Sequence, residues 1–127
     1  MKSSKLILLA CLLGGSAVAI GAFGAHGLKE LLQASGRADT FETAVRYKMY
    51  HALVLLAMGI YRSENEMRRN LYHAAAWAFG IGILIFSGSL YVLCLTGITW
   101  LGAITPLGGL GLIAGWILLA LSFMKGK

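Results

Sequence analysis

The sequence predicts an all-α integral membrane protein, folded as a single four-helix transmembrane bundle over residues 1–127. Residues 70–124 form a run of 55 residues without Asp, Glu, Lys or Arg. Because one membrane span needs about 20 apolar residues, this run is long enough for two consecutive spans. The composition agrees, with 58% hydrophobic and 13% charged residues and a mean hydropathy of +0.77, which is typical of integral membrane proteins.

The first predicted span covers residues 6–28 and follows Lys2 and Lys5. A cleaved signal peptide is the alternative, and the string Leu8-Leu9-Ala10-Cys11 resembles a lipoprotein cleavage box. However, the apolar stretch before Cys11 is shorter than the usual signal core of about 7–15 residues, and it continues past the cysteine. We therefore expect a retained transmembrane helix.

The second predicted span, residues 41–62, is the least apolar. It follows a polar connection over residues 29–39, where we expect one or two helical turns that end near Gly36. Only residues 49–61 of the span are free of charge, so the helix must also include residues 41–48 to cross a membrane. Asp39 or Thr40 is the expected N-cap of this helix.

Three charged residues therefore lie near one end of the second span. Glu42 and Arg46 are spaced i, i+4 and can form an ion pair on the helix surface. Lys48 is expected to extend its ammonium group toward the membrane surface.

The third and fourth predicted spans are residues 71–95 and 106–124, after a charged loop over residues 62–70. The helix break is expected at residues 96–99. Thr105 as N-cap and Pro106 at the first helical position predict the start of the last helix. Trp100 between the two spans is expected to anchor at the membrane interface.

Four spans place both termini on one side of the membrane. That side has seven basic residues against four on the other, so the positive-inside rule predicts cytoplasmic termini. The seven are Lys2, Lys5, Arg62, Arg68, Arg69, Lys125 and Lys127, and the four are Lys29, Arg37, Arg46 and Lys48.

Small residues recur at helical spacing inside the predicted spans, where they allow helix backbones to approach closely. We favour packing within one bundle, and the alternative is a dimer seam through Gly111 and Gly115. The predicted packing residues are Gly21, Gly24, Gly80, Gly111 and Gly115.

Polar side chains collect in the extracytoplasmic half of the predicted bundle, and Tyr47 and His51 share a helix face. We favour a structural polar cluster, since such groups can bond to neighbouring helices or to their own backbone. The alternatives are a haem held between His26 and His51, a bound lipid headgroup or small amphiphile, and a proton or solute path. The candidate ligand-binding residues are His26, Tyr47, His51, Ser87 and Ser89.

Several function classes find no support. The net charge of +6 arises from basic residues beside apolar spans, which indicates anionic lipid headgroups and not nucleic acid. No familiar catalytic or metal-binding motif is present, so no catalytic residue, metal or other cofactor is assigned. Cys11 and Cys94 lie at opposite predicted depths and are not expected to form a disulfide.

Four segments carry a family resemblance: GAFGAHGL (21–28), FETAVRYKMYHALVLL (41–56), FSGSLYVLCLTG (86–97) and ITPLGGLGLIAGW (104–116). They resemble the motifs of domain-of-unknown-function family 423, small bacterial membrane proteins similar to transmembrane protein 256. Lys48 departs from the pattern, where a neutral polar residue such as Gln is expected. The resemblance implies four helices in a bacterial inner (plasma) membrane. It implies no activity, substrate or functional residue.

The favoured hypothesis is an uncharacterised, non-enzymatic membrane protein that acts as a structural or accessory component. It would pack against another membrane protein or a second copy of itself, because packing motifs are many and no catalytic set is complete. The alternative is a binding or transport module that uses the His/Tyr/Ser cluster. An enzyme acting on lipids at the outer interface ranks last, since no acid accompanies the histidines except Asp39 and Glu42.

Overall fold

A computed structural model describes residues 1–61 and 66–124. These residues form five α-helices and one short 3₁₀ helix, and they contain no β-strand. The all-α prediction is therefore confirmed. The predicted positions Arg62, Lys125 and Lys127 lie outside the described residues. The α-helices are α1 (Ser3–His26), α2 (Lys29–Ser35), α3 (Ala38–Ile60), α4 (Glu66–Thr96) and α5 (Thr105–Phe123), with the 3₁₀ helix at Thr99–Ala103 between the last two.

Glycines with positive φ end two of the helices. Gly36 has a φ of 67° and Gly97 a φ of 72°, a left-handed conformation that glycine adopts without a steric penalty. The Gly36 N–H bonds to the carbonyl of Gln33, which closes α2. Both predicted features, the short helix that ends near Gly36 and the break at residues 96–99, are confirmed.

The predicted N-caps are wrong. Arg37 precedes α3, and neither Asp39 nor Thr40 caps it because both lie inside its first turn. Thr105 is likewise the first residue of α5, preceded by Ile104, and Pro106 follows in the first turn. The Thr105 hydroxyl instead donates to the Leu101 carbonyl at 3.3 Å. Its oxygen is also 2.6 Å from the Ser89 hydroxyl oxygen, so the Thr105 side chain bonds to α4 as well.

Helices α3 and α4 form the centre of the fold. Helix α1 packs chiefly against α3, and α5 packs chiefly against α4. Leu55 of α3 and Phe79 of α4 are fully buried in the main apolar core, which Leu6 of α1 and Leu112 of α5 complete. The N-terminal amino group donates to Nδ1 of His73 at 3.1 Å, so the chain start lies beside the start of α4.

Three helical segments are long and apolar enough to cross a membrane: Ser3–His26, Arg68–Thr96 and Thr99–Phe123. Helix α3 is not among them. Its eight buried residues include Lys48 and His51, so these two polar side chains face other helices. We call the end of the fold that holds Met1 and His73 the amino-terminal face. The end that holds His26, Arg37 and Gly97 is the opposite face.

Candidate functional site

His51 lies near the middle of α3 and is only 4% exposed. Its Nδ1 is 2.7 Å from the Tyr47 carbonyl oxygen, and the Trp116 indole N–H donates to its Nε2 at 3.2 Å. A carbonyl can only accept and an indole N–H can only donate. Nδ1 therefore carries the proton, and the neutral imidazole has both nitrogens in use.

Aromatic rings enclose the imidazole from three helices. The Tyr47 ring stacks on it at 6.2 Å between centroids and 17° between planes. The rings of Phe79 and Trp116 approach it at 5.5 and 6.1 Å. His51, Phe79 and Trp116 lie near the middle of α3, α4 and α5, so His51 lies at mid-height in the helix assembly. The sequence placed it in the extracytoplasmic half.

The two predicted serines join neighbouring helices. Ser87 is 2% exposed, and its hydroxyl donates to the Ala44 carbonyl of α3 at 2.8 Å. Ser89 of α4 bonds to Thr105 of α5 at 2.6 Å. Neither serine bonds to His51. The predicted polar cluster is therefore a set of separate hydrogen bonds and not one network.

The structure does not bring His26 and His51 together. His26 is exposed at the end of α1. A Cβ on Gly14 would lie 3.8 Å from Ala52, so His51 is level with the middle of α1. At 1.5 Å per residue the two histidines are roughly 17 Å apart along the helices. Axial ligands must face each other across one iron atom, so this pair does not fit a haem.

Lys48 lies inside the helix assembly and does not reach the membrane surface as predicted. It is 8% exposed, and its Nζ is 5.6 Å from the centre of the Tyr91 ring, a cation–π geometry. The Tyr91 hydroxyl is buried and has no hydrogen-bond partner among residues 1–61 and 66–124. Ion pairs in that part of the chain join Arg46 to Glu42 and Arg69 to Glu66, and neither includes Lys48.

The described residues assemble no catalytic constellation. Within them, no three His, Cys, Asp or Glu side chains lie close enough to hold a metal ion. Cys11 is exposed, Cys94 is buried, and both are free thiols. The buried hydroxyl of Ser87 bonds to a backbone carbonyl, whereas a nucleophilic hydroxyl needs a neighbouring base. This bond joins α4 to α3.

Sequence reasoning missed Trp116 as the partner of His51. A signal for it was present, because Trp116 lies in the middle of a predicted span and not at its ends. Tryptophan in membrane proteins concentrates at the interfaces, and an indole N–H at mid-span has no water to accept its hydrogen bond. A tryptophan at mid-span therefore indicates a polar partner on a neighbouring helix.

The predicted packing glycines contact other helices of the same chain. A Cβ on Gly21 would lie 3.1 Å from Val45, and one on Gly24 would lie 2.8 Å from Cδ1 of Phe41. A Cβ on Gly80 would meet Leu9 at 3.9 Å. Gly111 and Gly115, the suggested dimer seam, face α4, where added Cβ atoms would lie 3.4 Å from Gly82 and 2.7 Å from Phe79.

Comparisons with known proteins give a family and no activity. A family profile described as "Protein of unknown function (DUF423)" matches residues 20–109. A UPF0382 membrane protein of Staphylococcus haemolyticus is 44% identical over 119 residues, 94% of each chain. The UPF0382 membrane protein YwdK of Bacillus subtilis is 41% identical over 109 residues, 86% of this chain and 87% of its own. A UPF0382 membrane protein of Haemophilus influenzae is 37% identical over 124 residues, 98% of this chain and 97% of its own. No solved structure gives a significant match.

Proposed function

This chain belongs to the DUF423 family of membrane proteins of unknown function, and we propose that it is a non-enzymatic structural or accessory component of the bacterial inner membrane. One observation carries the proposal. The buried polar groups His51, Ser87 and Ser89 bond to other groups of the same chain. Polar groups that are used in this way connect helices.

The proposal includes a four-helix transmembrane bundle in which α3 is the fourth crossing. Helix α3 has 23 residues, which at 1.5 Å per residue spans about 35 Å, enough for a hydrocarbon core of about 30 Å. Its low hydropathy does not oppose this assignment, because Lys48 and His51 are covered by neighbouring helices. Glu42 and Arg46 pair at 2.6 Å near its beginning, where the headgroup region can accommodate them.

We place both termini in the cytoplasm on the positive-inside rule. Lys2, Lys5, Arg68 and Arg69 lie at the amino-terminal face, at the starts of α1 and α4. Fusing a periplasm-dependent reporter enzyme to the C-terminus tests this orientation. Reporter activity from the C-terminal fusion would show that the orientation is the opposite of the one proposed. Activity only from a fusion in the 97–103 connection would support the proposed orientation.

Photo-crosslinking in native membranes tests the accessory role. A photoreactive amino acid replaces Leu12 of α1 or Leu110 of α5, which are 63% and 62% exposed. A discrete product with another membrane protein or a second copy is expected from at least one site. Buried Ala52 is the matched position at which no intermolecular product should form. Lipid adducts alone at both exposed sites, with single-molecule counting that shows monomers, would overturn the accessory role.

The second candidate is a binding or transport module centred on Tyr47 and His51, the two of the five predicted site residues that stack on each other. The observation in its favour is Tyr47, which is 42% exposed and stacks on His51, so the His51 network reaches the surface. Its test is the intact mass of the protein, extracted with its own lipids, beside a His51→Ala variant. A discrete bound mass that disappears in the variant would support this candidate, and a mass retained unchanged would exclude a direct role for His51.

A further inference from the structure

A cleft opens near the opposite face, between the end of α1, α2 and the first half of α3. Its volume is about 420 Å³. The floor is made of small and apolar residues, and the rim is polar. The floor includes Gly21, Gly24, Ala25, Leu32, Phe41 and Val45, and the rim includes Lys29, Gln33, Glu42 and Arg46.

The local sequence explains why this space is present. Gly24 has no side chain, so the Phe41 ring lies directly on the α1 backbone, where a Cβ would come within 2.8 Å of its Cδ1. Helix α1 ends at His26, and α2 begins again at Lys29. Leu32, which is 3% exposed, packs with Phe41 in a second apolar cluster. This contact holds α2 across the ends of α1 and α3 and gives the cleft a wall.

The rim of the cleft favours a negatively charged group. Arg46 and Glu42 form an ion pair at 2.6 Å, yet their side chains remain 60% and 56% exposed. The guanidinium group has five N–H donors in all, so Arg46 retains donors for a second anion. Lys29 is exposed and forms no ion pair with a described residue. The rim therefore carries one net positive charge.

We propose that this cleft binds an anionic phospholipid, with the lipid phosphate between Lys29 and Arg46 and one acyl chain on the apolar floor. Lys and Arg near a membrane surface attract anionic lipids, and Arg binds phosphate oxygens through paired N–H groups. A free anion would use the rim but not the apolar floor. The position of the cleft along the helices also fits a lipid, because the apolar segment of α1 ends beside it at His26. This site is separate from the proposed accessory role and does not require it.

The test compares lipid retention by the full-length protein in mild detergent, followed by native mass spectrometry. The probes are dioleoylphosphatidylglycerol, which is anionic, and dioleoylphosphatidylcholine, which is zwitterionic. Wild-type protein should retain the anionic lipid preferentially. A Lys29→Gln/Arg46→Gln double variant should lose roughly twenty-five-fold in affinity for it, from about five-fold for each basic residue at a membrane surface.

A second variant tests the floor without changing any charge. Ala25→Leu places a larger side chain in the cleft from an exposed position and should lower the retention of both lipids. Ala22→Leu on the exposed surface of the same helix and Lys5→Gln at the amino-terminal face are matched controls that should behave as wild type. Wild-type retention by both the double variant and Ala25→Leu would overturn the proposal. Complete displacement of the bound lipid by inorganic phosphate would also overturn it, since the site would then bind a simple anion.

Discussion

Replacing Gly108 by Ala should open the contact between α4 and α5. A Cβ at this position would overlap the backbone nitrogen of Phe86 and lie 2.8 Å from its Cα. Real Cβ atoms essentially never come within 3.0 Å of such neighbours. Because the neighbour is helix backbone, no side-chain rotation relieves the overlap, and the two helices must move apart.

The size of the effect follows from three terms. Overpacking in a dense interior costs about 1–3 kcal/mol and sometimes more. A gap of about 0.5–1 Å along the contact also removes a quarter to a half of the local dispersion attraction. The replacement of glycine by alanine in a helix offsets about 1 kcal/mol of this cost. We expect Gly108→Ala to lower the free energy of unfolding by about 2 kcal/mol or more.

Gly109 provides the matched control in the next position. A Cβ there would lie 3.7 Å from the Phe86 ring, an ordinary contact, so Gly109→Ala should be neutral or stabilising by up to about 1 kcal/mol. Both variants are unfolded in mixed micelles with increasing dodecyl sulfate, and tryptophan fluorescence reports the midpoint. Equal midpoints for the two variants would refute the argument that backbone contact at Gly108 holds α4 to α5.

Three further predictions use the same unfolding assay. Lys48→Met should stabilise the protein by about 1 kcal/mol or more, because it removes an enclosed cation that has no counter-ion among the described residues. A lower unfolding midpoint for this variant would mean that the ammonium group is stably paired. Trp116→Phe should lower the free energy of unfolding by about 0.6–1.7 kcal/mol, the values measured for hydrogen bonds between membrane helices. A double-mutant cycle with His51→Phe should give a coupling energy of the same size. A coupling energy of zero would show that the Trp116–His51 hydrogen bond does not contribute to stability. Gly36→Ala should lower the free energy of unfolding by about 1–2 kcal/mol because φ is 67° there, although no atom obstructs an added Cβ. Gly15→Ala is the control, because an added Cβ is equally unobstructed there and the residue lies within α1. The control should cost nothing.

The ends of two helices could be predicted because glycines are local signals. The break after Thr96 and the end of α2 at Gly36 follow from glycine conformation, which depends on a few neighbouring residues. The ion pair between Glu42 and Arg46 follows from helical spacing and is present in the structure. The N-cap predictions were wrong because a polar residue near a helix start can either precede the helix or lie inside it, and the sequence does not distinguish the two.

The contacts between helices could not be predicted, because they depend on how the helices rotate and on their relative height. Spacing placed Tyr47 and His51 on one face but gave no partner on α5, so Trp116 was missed. A charged residue in a weakly apolar segment suggested a side chain that reaches the surface, and Lys48 instead lies against Tyr91. The distance between His26 and His51 along the chain likewise gave no information on their separation in space.

The enclosure of Lys48 and His51 has a consequence for biogenesis. A segment with an uncovered lysine and histidine enters the lipid phase poorly on its own, since a charged side chain at the centre of a bilayer is costly. Helix α4, which supplies Tyr91 and Phe79 to cover them, is synthesised after α3. In the proposed four-helix bundle, stable insertion of α3 must therefore wait for α4, and the two helices enter the bilayer as one cooperative unit.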